Sequence, residues 1–385
     1  MVYINELKLA KELIRFPSIT PKDAGAINFL SKKLKSIGFK CKILEFKDKK
    51  SKPIKNLYAR IGTKQPNLCY AGHTDVVPPG NIKDWTVNPF KPKVKNNHLI
   101  GRGANDMKSS IACFVSAVNK FLNGNPKFDG SISFLITGDE EGYAINGTEK
   151  VIKYLKKKKE KIDFCIVGEP TNPNKLGEMI KIGRRGSLTG KIEVTGVQGH
   201  VAYPHLINNP INTLIDICKT LQEKELDKGN KNFQPSNLEF TRVYVDNKAH
   251  NVIPAKAKAQ FNIRYNNYHT SYSLKKKINK IVQNLCKKNK CRYNIEYLAN
   301  GDSFLTKPEK TIYMAKRIIK KITKINPKFS TTGGTSDARF IRKISPCLEF
   351  GLVNKTMHKI DECVSVSDLK KLTNIYKNIL IEYFK

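Results

Sequence analysis

Four short, almost wholly apolar runs recur along the chain, and each opens into the same kind of polar residue. "LCYAGHTD" leads to His73 and Asp75, "SISFLITGDEE" to Asp139, Glu140 and Glu141, "DFCIVGEP" to Glu169, and "PCLEFGLVNKTMH" to His358. Apolar runs of this length predict strands buried on both faces. Helical periodicity lies between them. In "DMKSSIACFVSAVNKFL", Ile111, Phe114, Val115, Val118 and Leu122 fall on one face. Strands alternating with helices predict an α/β sheet. Ligand sites of such sheets lie beyond the carboxyl ends of the strands, where these acids and histidines gather.

The middle of the chain has a different pattern. "SLTGKIEVTGV", "NLEFTRVYV", "AKAKAQFNIRY" and "RYNIEYLA" alternate polar and apolar residues, as strands with one wet face do. "NPINTLIDICKTLQE" and "SYSLKKKINKIVQNLCKK" have helical spacing. The order is β-α-β-β-α-β, a ferredoxin-like α+β arrangement. The expected organisation is therefore a first domain made of residues 1–185 and 300–385, with residues 186–299 inserted as a second. At 385 residues the chain is long enough for two domains.

Composition changes this picture little. The chain carries 70 Lys and Arg against 33 Asp and Glu, a formal net charge of +37. Such a charge invites a nucleic-acid reading. The excess is mostly lysine, spread along the chain in runs such as "YLKKKKEK", and it accompanies frequent Asn and Ile; a coding bias explains it better, and no nucleic-acid partner is expected. The lysine runs are expected on solvated helix faces. No run of 18 apolar residues occurs, and "MVYINELKLAKELIRF" reads as an amphipathic helix rather than a signal peptide, so no membrane partner and a cytoplasmic location are expected. Nine cysteines stand without CxxC pairs, and Cys69, Cys113, Cys165 and Cys347 lie in apolar runs; they are expected as buried small hydrophobes in a reducing compartment.

Taken singly, each polar candidate has an ordinary reading. Asp106 in "GRGANDMKSS" is a possible helix N-cap, Glu140–Glu141 a solvated loop, Glu169 a loop carboxylate, and His358 a surface histidine. Together with His73 they are two imidazoles and three metal-suited carboxylates, Asp106, Glu141 and Glu169, beside a further acid, Glu140. Two metal ions roughly 3.5–4 Å apart need one bridging ligand. One carboxylate can bridge, which leaves one histidine and one carboxylate for each ion.

"GHTDVVP", "GRGANDMK", "GDEEG", "GEPT" and "TMHKIDE" resemble the zinc-dependent aminoacylase and carboxypeptidase family, M20, and the resemblance runs from about Leu7 to Glu382. It implies a zinc-peptidase-like catalytic domain with a mixed, mostly parallel sheet, and an inserted lid that forms a homodimer. It implies two Zn²⁺ per subunit, one on His73 and Glu169, the other on His358 and Glu141, bridged by Asp106; Co²⁺ could occupy the same ligands. Asp75 is expected to hydrogen-bond the outer ring nitrogen of His73, and Glu140 to act as general base. Gly72 is expected to permit close backbone packing at the strand exit.

"GRRGSLTGKIEVTGVQGHVAYPH", "NVIPAKAKAQFNIRY" and "TTGGTSDARF" resemble the branch of the family that works in lysine and cell-wall synthesis. The implied substrate is a small acylated amino acid bearing several carboxylates, hydrolysed at its amide. By this resemblance Arg184 and Arg264 hold carboxylates, Gly334, Thr335 and Asn354 contact substrate, and His200, Tyr203 and Asn251 reach the partner subunit's site. His250 and Asn300 depart from the branch, where asparagine and serine are frequent. A deacetylase or carboxypeptidase of the same family is the alternative reading.

Overall fold

The computed structural model describes residues 3–48, 51–125 and 127–385. The chain divides into two compact units, one of Met1–Ile182, Thr306–Ser330 and Ser336–Lys385, the other of Gly183–Leu305 and Thr331–Thr335.

The first unit is built on an eight-stranded sheet. In spatial order its strands are Lys40–Asp48, Ser51–Gly62, Ser131–Thr137, Asn67–His73, Phe164–Val167, Cys347–Glu349, Met179–Lys181 and Lys328–Ser330. The centre is parallel: Asn67–His73 lies between Ser131–Thr137 and Phe164–Val167, which in turn pairs with Cys347–Glu349. Antiparallel strands join at the Lys40–Asp48 edge. Every residue of these four central strands is buried, and the hydroxyls this includes are bonded: Ser133 donates to Asn67 (2.9 Å) and Thr137 to Asn56 (2.8 Å).

The helix Lys108–Gly124 differs from the expected amphipathic one. It packs with Glu6–Ile14 and Val366–Tyr383, and it is buried on every side from Lys108 to Asn119. Lys108, Ser110, Ser116 and Asn119 tolerate this because they are bonded. Ser116 donates to Ile4 O (2.8 Å) and to Glu6 (2.9 Å), Asn119 accepts from Ile4 N (2.9 Å), and Lys108 Nζ donates to Phe16 O (2.7 Å). Leu122, expected on the apolar face, is only half-buried, and Phe121 takes its place in the core.

Three thiols stand in register across the sheet. Cys165 pairs with Cys69 on one neighbouring strand and with Cys347 on the other. Residues paired in a parallel ladder share a face, and all three are buried. Burial pushes the Cys347 thiol up to about 12. All nine cysteines are free.

The second unit is a four-stranded antiparallel sheet in the order Asn237–Tyr244, Lys256–Tyr265, Gly186–Thr195, Arg292–Ala299. Helices Pro210–Glu223 and Ser271–Lys288 cover one face, where Leu188, Ile192, Leu214, Ile217, Phe261 and Val282 form the core. Lys276, Lys277, Lys280, Lys287 and Lys288 lie exposed on the second helix, opposite its buried Leu274, Ile278 and Val282. The unit also takes in Thr331–Thr335, which the sequence pattern assigned to the first domain. The cause is side-chain hydrogen bonding: Arg184 Nη1 donates to Thr332 O (3.3 Å) and Thr331 Oγ1 to Asn232 O. Among the described residues no helix is long and apolar enough to cross a membrane.

Candidate metal centre

Strand register assembles the site. His73 is the last residue of its strand and pairs with Thr137, so Glu140 and Glu141 emerge beside it. On the other side Ala71 pairs with Val167, which sets Glu169 two residues past the end of that strand. Gly168 is required there: a Cβ would stand 1.9 Å from the Tyr70 hydroxyl oxygen. Gly72 serves the same packing, since its Cβ would come within 2.6 Å of Met107 Cε. His358 lies beyond the fourth central strand, Cys347–Glu349, on a loop where its own φ is 63°.

Asp106 does not cap the helix that follows, whose N-cap, Met107, has no side-chain cap bond. Its carboxylate faces both histidines instead. Oδ1 lies 3.1 Å from His73 Nε2, and Oδ2 lies 3.2 Å from His358 Nε2. Glu169 Oε1 is 4.0 Å from His73 Nε2, and Glu141 Oε1 is 2.9 Å from His358 Nε2. The structure thus sorts the five groups into two pairs on either side of one carboxylate. Ligand atoms of His73, Asp106 and Glu141 lie within 4.8 Å of one another, and so do those of His73, Glu140 and Glu169. Glu140 therefore also stands at ligand range. A cleft of 520 Å³ lined by Thr20, Lys52, Asp139, Glu141 and Tyr143 opens beside the cluster.

Asp75 differs from its expected role. The His73 Nδ1–H donates to the backbone carbonyl of Asp75 at 2.9 Å, while the Asp75 carboxylate lies 3.6 Å from that nitrogen. The carboxylate is committed elsewhere: its oxygens accept the backbone N–H groups of Glu140 (3.2 Å) and Glu141 (3.0 Å). Asp75 fixes the ring tautomer through its main chain and holds the two glutamates through its side chain. Two N–H donors on a turn offer the carboxylate better geometry than a ring nitrogen already satisfied by a carbonyl.

The charges show what the pocket demands. Burial alone would push His73 down, but hydrogen bonding to Asp106 and the charges of Asp106, Asp75 and Glu169 hold it well above its ordinary value. Hydrogen bonds to Asp106 and Glu141 raise His358 to about 10. Burial pushes Asp106 up, yet its bonds to the two histidines pull it far below the usual carboxylate range. Burial, then the charge of Glu169, pushes the Glu140 carboxyl well above that range. The carboxylates thus favour positive charge at both imidazoles. A pocket that needs this much positive charge, and offers imidazole nitrogens and carboxylate oxygens, fits divalent cations.

The remaining expected site residues fall in both units. Asn354 lies in the first unit, where its N–H donates to Asn172 O (2.8 Å). Arg184, His200, Tyr203, Asn251, Arg264, Gly334 and Thr335 lie in the second. There Arg184 is buried, and Arg264 pairs with Ser187 on the strand beside it. The strand Gly199–His200 pairs with Val252–Ile253, which brings Asn251 Nδ2 to 3.5 Å from His200 Nε2. The Tyr203 ring lies 5.7 Å from that of His200. Gly334 is exposed. Three charged groups escaped the sequence pattern: Arg102, Lys108 and Glu362, all buried against the Asp106 loop. Burial lowers the Lys108 ammonium to about 7. Only their place inside the quoted "GRGANDMK" and "TMHKIDE" marked them.

A sequence profile of peptidase family M20/M25/M40 matches residues 69–382. The chain belongs to this family of metal-dependent hydrolases. A succinyl-diaminopimelate desuccinylase from Pelagibacter ubique is 68% identical to it over 380 residues, covering 99% of each chain. Another desuccinylase of that name, from Ehrlichia canis, is 50% identical over 382 residues, again 99% of each. Among solved structures, aminopeptidase PepT from Bacillus cereus superposes with a TM-score of 0.80 at 19% identity, over 99% of this chain and 100% of that one. A dinuclear metal-binding peptidase of the M20 family from Bacillus subtilis gives 0.72 at 12% identity, over 98% and 97%. At these identities the structures speak for the fold.

Proposed function

We propose that the chain hydrolyses N-succinyl-LL-2,6-diaminopimelate to succinate and LL-2,6-diaminopimelate. The observation that carries this reading is the 68% identity, spread over 99% of both chains, to a succinyl-diaminopimelate desuccinylase. His73 and Glu169 would hold one zinc ion, His358 and Glu141 a second, with Asp106 between them; cobalt suits the same donors. Such ions acidify water and polarise the scissile carbonyl.

The protein's own groups divide the remaining work. Glu140 takes a proton as water attacks the amide carbon and delivers it to the departing amine. A carboxyl displaced upward by burial and by Glu169 is suited to carry that proton. Asp75 holds Glu140 and Glu141 in place through their backbone N–H groups. Arg184 and Arg264 grip the substrate carboxylates, which planar guanidinium groups bind at two points. Asn354, Gly334 and Thr335 line the substrate, and His200, Tyr203 and Asn251 serve the partner's site in a homodimer. The second unit suits such pairing. Its edge strand Asn237–Tyr244 exposes Val243 and Tyr244, and the neighbouring helix exposes Ile215, beside a 480 Å³ apolar groove.

The test is succinate release from N-succinyl-LL-diaminopimelate by purified protein with Zn²⁺, beside N-acetylornithine, before and after chelation. Chelator-sensitive turnover of the first substrate alone is the expected result. Turnover of N-acetylornithine instead would make the chain a deacetylase of the same family and discard the arginine reading.

A further inference from the structure

Two of the proposed ligands, Asp106 and His358, lie on loops that are far apart in sequence and are joined by one buried ion pair. Arg102 Nη1 donates to Glu362 Oε2 at 2.7 Å, and both side chains are at most 2% exposed. Each partner then binds the other's loop. Glu362 accepts the backbone N–H groups of Gly103 (3.1 Å), Asn105 (2.7 Å) and Asp106 (3.0 Å). Arg102 donates to the carbonyls of His358 (3.4 Å), Lys359 (3.2 Å) and Pro78 (3.3 Å), and its guanidinium lies 5.2 Å from the Trp85 ring centroid. Asn105 Nδ2 adds a bond to Val353 O. The fork of one side chain and the two oxygens of the other are thus spent on main chain next to ligands.

Neither residue reaches the cluster with its own side chain, so neither is suited to act on substrate. What they control is the separation of Asp106 Oδ2 and His358 Nε2, now 3.2 Å. His73 is held separately, by its strand and by the Asp75 carbonyl. We propose that Arg102 and Glu362 are positioning residues that set the affinity of the cluster for divalent cations, most of all at the His358–Glu141 position, because they hold the His358 loop as well as the shared Asp106. This rests on the two-ion reading above. Supporting partners of metal ligands are commonly worth about 10–100-fold in metal affinity.

The experiment is a Co²⁺ titration of the metal-stripped full chain, followed by visible absorption and by calorimetry, for the parent, Glu362→Gln and Arg102→Lys. Gln keeps the shape of Glu but supplies one acceptor oxygen where two are used. Lys keeps the charge but loses the fork that spans three carbonyls. The expected result is two binding steps in the parent, with one step weakened about 10–100-fold in each variant and the other weakened less. Should Glu362→Gln fail to fold by circular dichroism, Arg102→Lys decides. Folded variants that bind both ions like the parent, or that lose both steps equally, overturn the inference. A parent that binds fewer than two ions overturns the two-ion reading itself, and this inference with it.

Discussion

Gly168→Ala adds one methyl group beside a proposed ligand, and its cost can be worked from the surroundings. The new Cβ would stand 1.9 Å from the Tyr70 hydroxyl oxygen, 2.5 Å from Cζ and 2.7 Å from Met107 Cε. Met107 can bend away, but Tyr70 cannot. Its ring stacks on Phe114 at 4.3 Å and meets Tyr376 edge-on at 5.9 Å. Its hydroxyl donates to Ser110, which is bonded in turn to Tyr376, whose hydroxyl donates to Phe350 O. Overpacking a dense core costs about 1–3 kcal/mol, and freeing a buried hydroxyl from its partner costs about 1–3 kcal/mol more. The sum, about 4 kcal/mol, corresponds to a fall in Tm of roughly 10 °C for a unit of this size. Scanning calorimetry reads it directly, with Gly124→Ala as the control, because a Cβ at Gly124 meets nothing within 4 Å. A Gly168→Ala protein melting within about 2 °C of the parent would refute the packing argument, since even 1 kcal/mol should move Tm by that much.

Glu140→Gln should lower kcat by about 10²–10⁴-fold, the usual worth of a general acid–base group, while metal content measured by elemental analysis stays at the parent level; loss of metal instead would make Glu140 a ligand. Asp227→Asn should destabilise the second unit in a pH-dependent way. Burial pushes the Asp227 carboxyl up, but hydrogen bonds from Ser236, the Gly229 N–H and Asn266 outweigh it and leave the group below its ordinary 3.8. The stability it contributes is therefore present above that value and lost as pH falls below it. The Tm gap between parent and variant should be wide at pH 7 and narrow toward pH 3; an equal gap at both would remove the ionic contribution. Ile215→Glu and Val243→Lys, on the exposed face of the second unit, should each convert a dimer to monomer in sedimentation velocity. A dimer that survives both places the interface elsewhere.

The central strands were legible because short runs rich in apolar residues, such as "LCYA" and "FCIV", are too short for a helix and read as strands buried on both faces. The candidate cluster was legible because His73, Glu140, Glu141 and Glu169 sit at or just past the ends of such strands, while Asp106 and His358 stand on longer loops. Register was not: nothing local says that Ser131–Thr137 inserts between Ser51–Gly62 and Asn67–His73. The role of Asp75 went astray for the same reason, since the glutamate N–H groups it binds arrive from another strand. Arg102 and Glu362 were not singled out, because a buried ion pair owes its burial to two segments that only the fold brings together. Helix Lys108–Gly124 looked amphipathic because serine counts as polar in any periodicity, although a bonded serine buries readily.

The stacked thiols turn the molecule into its own recorder of local opening. Cys69, Cys113, Cys165 and Cys347 are sealed in the first unit and Cys286 in the second. Closed surroundings keep them unreactive until their own segment opens, and burial also raises the thiols of Cys113, Cys165, Cys286 and Cys347. Under a pulse of alkylating reagent, peptide mass spectrometry would date the exposure of each one. Simultaneous labelling of Cys69, Cys165 and Cys347 would mean that the three strands part as a single cooperative block. Earlier labelling of Cys286 would mean that the second unit loosens while the sheet bearing the proposed ligands stays shut.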